Sequence, residues 1–194
     1  MAAKKKRRVD VAQSKTRRRT PPPRTTRETA LHRAAHAVAA TLLDLPLDAV
    51  TIDPAPDAPS TLVCGCIVDC DQVARDARKS TLDANGVMLI AGPVADVLWS
   101  GKTPDTEKST GWKDDLDGIK TILDQLGNHA GRALTSPQRG TAFEEWWARA
   151  DELLTARQEL VALVANELLE RGIVTGEWVK EKTREALEQV SAVE

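Results

Sequence analysis

Residues 25–45, TTRETALHRAAHAVAATLLDL, constrain the fold more than any other stretch of the chain. Thr25 followed three residues later by Glu28 is a capping box, which predicts a helix starting there. His32 and His36 stand four apart on that helix. They project from one face, a turn apart, and both can reach a single ion. A pair of polar residues on an alanine-rich helix has the same pattern, so the spacing alone does not decide between the two.

The order His32-Arg33-Ala34-Ala35-His36 has the ligand spacing of H-E-x-x-H, in which two imidazoles hold zinc and the glutamate is the general base. Arg33 occupies the glutamate position. The ligand spacing is present and the usual base is missing.

Charge is segregated along the chain. Residues 1–27 carry 11 Lys/Arg and one acid, a net of +10, and the remainder carries 16 basic and 28 acidic residues, a net of −12. KKKRR at 4–8, RRR at 17–19 and prolines at 21–23 leave residues 1–24 too little apolar surface to offset ordering entropy, so this segment reads as a disordered tail. Lys4, Lys5, Lys6, Arg7, Arg8, Arg17, Arg18 and Arg19 are candidate contacts for nucleic acid or another polyanion through phosphate attraction. A plain solubilising tail fits the same composition.

At 194 residues the chain accommodates one good core, so residues 25–194 read as a single domain. No run approaches the roughly twenty apolar residues of a membrane span. The charged N-terminus lacks the apolar core of a secretory signal. An odd number of cysteines, three, fits a reducing cytoplasm better than a disulfide framework. G-x-x-x-x-G-K-[ST] occurs nowhere, so the chain has no P-loop with which to bind a nucleotide.

The first helix is expected over 27–43. A strand over 48–53 (DAVTID) and a return strand over 61–68 (TLVCGCIV) make a hairpin. Cys64, Cys66 and Cys70 lack the paired C-x₂-C knuckles of a structural zinc site and read as small buried hydrophobes. A helix over 80–99 carries a broad apolar face, with Gly92-Pro93 predicting a kink or close packing at its middle. Another helix opens near Asp114, Asp115 and Asp117, acids that suit a helix N-terminus, and runs to about 126. His129 falls in the polar loop that follows. A long helical stretch is expected over 140–170, with Trp146 and Trp147 in the core or on a docking surface. Gly172 is its C-cap, and a last helix spans 176–190.

Several of these segments together resemble the peptidase domain of the FtsH-type ATP-dependent zinc metallopeptidases. ALHRAAHAVAATLLDLPLDAVTIDP is similar to the HEAGHA helix and "VTI-P" strand of that family. MLIAGPVADVLWSG is similar to its "LLAGRAAEELxxG" helix, with Asp96 at the usual acid and Pro93 a departure. Ser109-Thr110-Gly111 and the following helix are similar to "TGAxxDxxxAT", and the final helices to "LLxxLAxxLLExExLxGxEI". The resemblance covers about residues 26–187.

The resemblance implies a mainly α (α+β) fold, a helical domain with a small β-hairpin behind the tail. It implies Zn²⁺ held by His32, His36 and Asp115, the last aligned on Ser109-Thr110-Gly111, with a polypeptide substrate or protein partner. The family's ATPase module has no counterpart here, so its hexameric ring is not carried over. Arginine cannot accept a proton at working pH, so no confident catalytic base is assigned. Three outcomes follow: a zinc-binding pseudopeptidase; a chain that has also lost the metal, with Arg33 paired to Glu28, Asp114 or Asp115; or a weak enzyme in which Asp114 substitutes as base. A different class is an adaptor or nucleic-acid-binding protein that uses the fold as scaffold and the tail as contact.

Overall fold

Alanine dominates the buried side of the first helix, α1 (Thr26–Leu42): six of its nine buried residues are alanine. Small side chains let neighbouring backbones come close, and every residue from 34 to 40 is buried. A helix covered on all sides lies at the centre of its fold. The computed structural model describes residues 26–52, 79–101 and 112–191. The basic tail with its candidate nucleic-acid contacts, Thr25, the expected strand over 61–68, the three cysteines and Ser109-Thr110-Gly111 lie outside the described residues.

The chain continues through β1 (Ala49–Thr51), α2 (Lys79–Ser100), α3 (Lys113–His129), α4 (Ser136–Thr155), α5 (Gln158–Arg171), β2 (Ile173–Thr175) and α6 (Gly176–Ser191). The expected class, mainly helical with one small antiparallel pair of strands, is the one observed. α1 packs against α2 on one side and α5 on another, while α2 also carries α3 and α4. The core is one continuous cluster running from Ala30 through Leu82, Ile90 and Val94 to Leu154, Val164 and Leu168.

α1 ends in a turn that satisfies its last carbonyls. Leu45 N–H donates to Ala40 O at 2.9 Å and Asp44 N–H to Thr41 O at 3.2 Å. This is a Schellman motif, with Asp44 at φ 55° in the position glycine usually takes. α2 is longer and more apolar than the sequence reading allowed. The window Lys79–Trp99, at mean hydropathy 1.2, is long and apolar enough to cross a membrane by length and composition, and 78% of it is buried inside the fold, as in a core helix. Pro93 lies within it without ending it.

Two boundaries differ from expectation. The stretch read as one helix over 140–170 is two: α4 begins earlier, at Ser136, and α5 restarts at Gln158. Thr135 and Gln138 form a capping box with Pro137 in the first turn, a start signal that TSPQ displays in plain sequence. The break at Ala156-Arg157 carries no glycine or proline. It is set by packing, since α4 lies on α2 and α5 lies on α1. α3 runs three residues past its expected end, to His129.

Among the described residues β1 pairs with β2, in the register Ala49↔Thr175, Val50↔Val174, Thr51↔Ile173. Val50 and Val174 point into the core. The pair is extended by Ile52 N–H to Gly172 O at 3.0 Å and Gly176 N–H to Asp48 O at 2.7 Å. Gly172 caps α5 as expected, at φ 74°, where a side chain would be strained.

Candidate metal centre

Three helices bring the site together. On α1, His32 and His36 are buried on the face turned to α2, their rings edge-on with centroids 4.7 Å apart. On α3, the buried Asp115 sits in the first turn. On α2, positions 88, 92 and 96 follow one another at four-residue spacing, and each meets the histidines in a different way.

Met88 supplies a backbone carbonyl, which accepts a hydrogen bond from His36 Nδ1 at 2.7 Å. A carbonyl can only accept, so His36 Nδ1 carries a proton, and Nε2 is the nitrogen turned towards the cluster. Gly92 supplies space. A Cβ there would lie 2.2 Å from His36 Nε2 and 2.4 Å from His32 Cε1, so any other residue would displace both rings. This is the close packing expected from Gly92-Pro93. Asp96 supplies a carboxylate whose Oδ2 is 3.5 Å from His32 Nδ1 and 2.6 Å from Trp112 Nε1, which donates to it.

At the centre, His36 Nε2 is 3.1 Å from His32 Nε2. Asp115 Oδ2 is 3.2 Å from His32 Nε2, and its Oδ1 is 3.4 Å from His36 Nε2. Burial pushes the Asp115 carboxyl up. The charge on His36, followed by hydrogen bonds to His32 and His36, outweighs burial and holds the carboxyl well below the usual carboxylate range. The side chain is therefore an anion. Imidazole nitrogens and carboxylate oxygens packed this closely need positive charge between them, from protons or from a cation.

His32, His36 and Asp115 could hold a metal ion: each offers a ligand atom, and these atoms lie within 4.8 Å of one another. Tetrahedral coordination with bonds of ~2.0–2.1 Å places ligand atoms about 3.3 Å apart. The 3.1 Å between the two Nε2 atoms and the 3.2 Å from His32 Nε2 to Asp115 Oδ2 are close to that edge, while the 3.4 Å contact to His36 Nε2 is made by the other carboxylate oxygen, Oδ1. The three side chains are therefore close enough together to share one small ion.

The sequence-derived residues sort clearly around this point. His32, His36 and Asp115 converge. Asp114, beside the last, is exposed. Asp117 is exposed as well and is held by Lys120 and Lys113 at 2.9 Å each, which lowers its carboxyl to about 2. His129 is exposed at the end of α3 and outside the cluster. Arg33 is half-buried on α1, next to His32. Trp146 is core, its Nε1 donating to Asp83 Oδ1 at 3.2 Å, while Trp147 is half-buried between Phe143 and Trp112.

Sequence reasoning missed Asp96, Trp112 and the Met88 carbonyl as parts of the site. Asp96 had a usable signal: a lone carboxylate in the apolar run of α2 must find a partner to be buried. Trp112 had none. The comparisons with known proteins add no identification: no protein-family model and no curated protein matches the chain.

Proposed function

We propose that this chain is a zinc-binding protein related to the peptidase domain of the FtsH-type proteases, with its proteolytic activity weak or lost. The observation that carries this reading is the convergence of His32, His36 and Asp115 on one point, although more than seventy residues separate the histidine pair from the aspartate. The two Nε2 atoms and the Asp115 carboxylate would hold zinc, and Met88 O fixes the ring of His36. When bound, zinc supplies a Lewis acid to a polypeptide carbonyl or to water.

The chain's own residues then limit the chemistry. Hydrolysis needs a group beside the metal that takes a proton and returns it to the leaving amine. The side chain at 33 is a guanidinium, permanently charged, which cannot take one. Losing general-base help typically costs ~10²–10⁴ in rate. A metal-binding relic is what remains, and a protein-partner or scaffold role follows from it. The +10 of residues 1–27 against the −12 of the remainder supports a second reading in which the tail contacts nucleic acid or another polyanion.

The test is zinc content of purified protein, with proteolysis of casein by wild type, Arg33→Glu and Arg33→Ala under chelator control. We expect about one zinc per chain, little cleavage by wild type, tighter zinc in Arg33→Glu, and a gain of chelator-sensitive cleavage in that variant. Robust chelator-sensitive proteolysis by wild type that persists in Arg33→Ala would overturn the assignment of Arg33 as the disarming substitution.

A further inference from the structure

His32 differs from its partner in how its far nitrogen is held. His36 Nδ1 has a 2.7 Å bond to a backbone carbonyl. His32 is equally buried, yet its Nδ1 makes no hydrogen bond among the described residues. Its facing group is Asp96 Oδ2 at 3.5 Å, a separation beyond a well-formed hydrogen bond. The same oxygen already accepts from Trp112 Nε1 at 2.6 Å. With an ion on Nε2 the His32 proton sits on Nδ1, where a buried N–H costs free energy unless it is bonded; shortening this contact by about half an ångström would bring it to ordinary hydrogen-bond length.

We infer that Asp96 and Trp112 form a positioning pair for the metal centre, in which the indole N–H holds the carboxylate so that it can orient His32. Resting on the zinc reading above, the inference assigns its outer residues. A ligating imidazole donates its other N–H to a fixed acceptor, and a carboxylate in that place fixes the tautomer and raises ligand basicity. Asp96 is buried in an apolar helix, where a carboxylate alone is costly. Trp112 is equally buried, three residues ahead of Asp115. One short segment thus supplies both a ligand and the clamp on the opposite side of His32. The indole ring is seated against Trp147, with centroids 6.2 Å apart, and Trp147 against Phe143 at 5.9 Å. α4 therefore buttresses the clamp through aromatic contacts.

The test compares zinc affinity, by competition with a chromophoric chelator, in full-length wild type, Trp112→Phe, Asp96→Asn and Trp147→Phe. Trp112→Phe keeps an aromatic ring and loses the N–H. Trp147→Phe perturbs the same aromatic cluster without touching a bond to Asp96, and so controls for packing. Zinc affinity should fall about 10-fold in Trp112→Phe and ~10–100-fold in Asp96→Asn, the usual range for such outer groups. Trp147→Phe should lower thermal stability with affinity unchanged. In the zinc-loaded wild type, ¹⁵N-edited spectra should show His32 protonated at Nδ1, with that proton's shift moving in Asp96→Asn. Wild type that binds zinc while Trp112→Phe and Asp96→Asn bind it equally well overturns the positioning role alone. Wild type that binds no zinc overturns the metal reading and this inference with it. An equal affinity loss in Trp147→Phe and Trp112→Phe assigns the effect to packing and also overturns the inference.

Discussion

Replacing Gly92 with alanine tests the site through a single methyl group. The added Cβ would stand 2.2 Å from His36 Nε2 and 2.4 and 2.6 Å from His32 Cε1 and Nε2, well inside van der Waals contact. Both imidazoles must swing away, and His36 cannot do so without straining its 2.7 Å bond to Met88 O. Alanine in a helix interior is favoured over glycine by ~0.5–1 kcal/mol. Overpacking of a filled core costs about 1–3 kcal/mol, and a lost hydrogen bond costs about 1 more. The apo protein should therefore lose about 1–3 kcal/mol. Zinc binding should suffer more, because the two ligand nitrogens are displaced together. Zinc at a hundred times its dissociation constant stabilises a folded protein by ~2.7 kcal/mol. At ~2–4 °C per kcal/mol for a chain of this size, that raises the melting temperature by roughly 5–10 °C. Thermal melts with and without zinc should show this rise in wild type and none in Gly92→Ala. Gly140→Ala on α4, where a Cβ meets nothing within 4 Å, is the matched control and should keep the full zinc response. A Gly92→Ala protein with an undiminished zinc shift would refute the placement of the two histidines against α2.

Two further outcomes are expected. Asp44→Gly relieves the left-handed backbone at the end of α1, where φ is 55°. A non-glycine residue in that conformation costs ~1–2 kcal/mol, partly offset by the entropy of glycine, so the variant should melt later by a few degrees with zinc affinity unchanged; earlier melting would show that the Asp44 side chain contributes more than its backbone costs. Deleting residues 1–24 removes ten of the eleven basic residues of the N-terminal segment, so any salt-dependent binding of nucleic acid should vanish with it; undiminished DNA binding by the truncated protein would refute a tail-borne contact.

The helices and the histidine pair were legible because they rest on periodic patterns. The capping box and two histidines at i, i+4 in an alanine-rich stretch mark α1 as a helix in the sequence; its burial on every side appears only in the structure. Asp115 could be singled out from Asp114 and Asp117 only through the family resemblance, since all three sit equally well at a helix start; burial separates them. The β1–β2 pairing was not legible. Three residues, IVT, give too little alternation to announce a strand, and its partner lies over a hundred residues away. The break between α4 and α5 falls in helix-forming sequence and follows from which neighbour each half covers. The Trp112–Asp96 bond depends on how three helices meet, and no local pattern encodes it.

The pairing of β1 with β2 bears on the order in which the protein can be made. His32, His36 and Asp115 have all left the ribosome once the first 115 residues are clear. One of the surfaces that cover α1, and the strand that pairs with β1, belong to residues 158–175. At ~5–20 residues per second, the roughly sixty intervening residues take about 3–12 s to synthesise. For that interval the nascent chain holds His32, His36 and Asp115 together with α2, but lacks α5, which covers α1, and β2, which pairs with β1. Contacts so distant in sequence also raise contact order and slow closure of the native state. The three residues of the candidate site are thus all present during translation before α1 is fully covered.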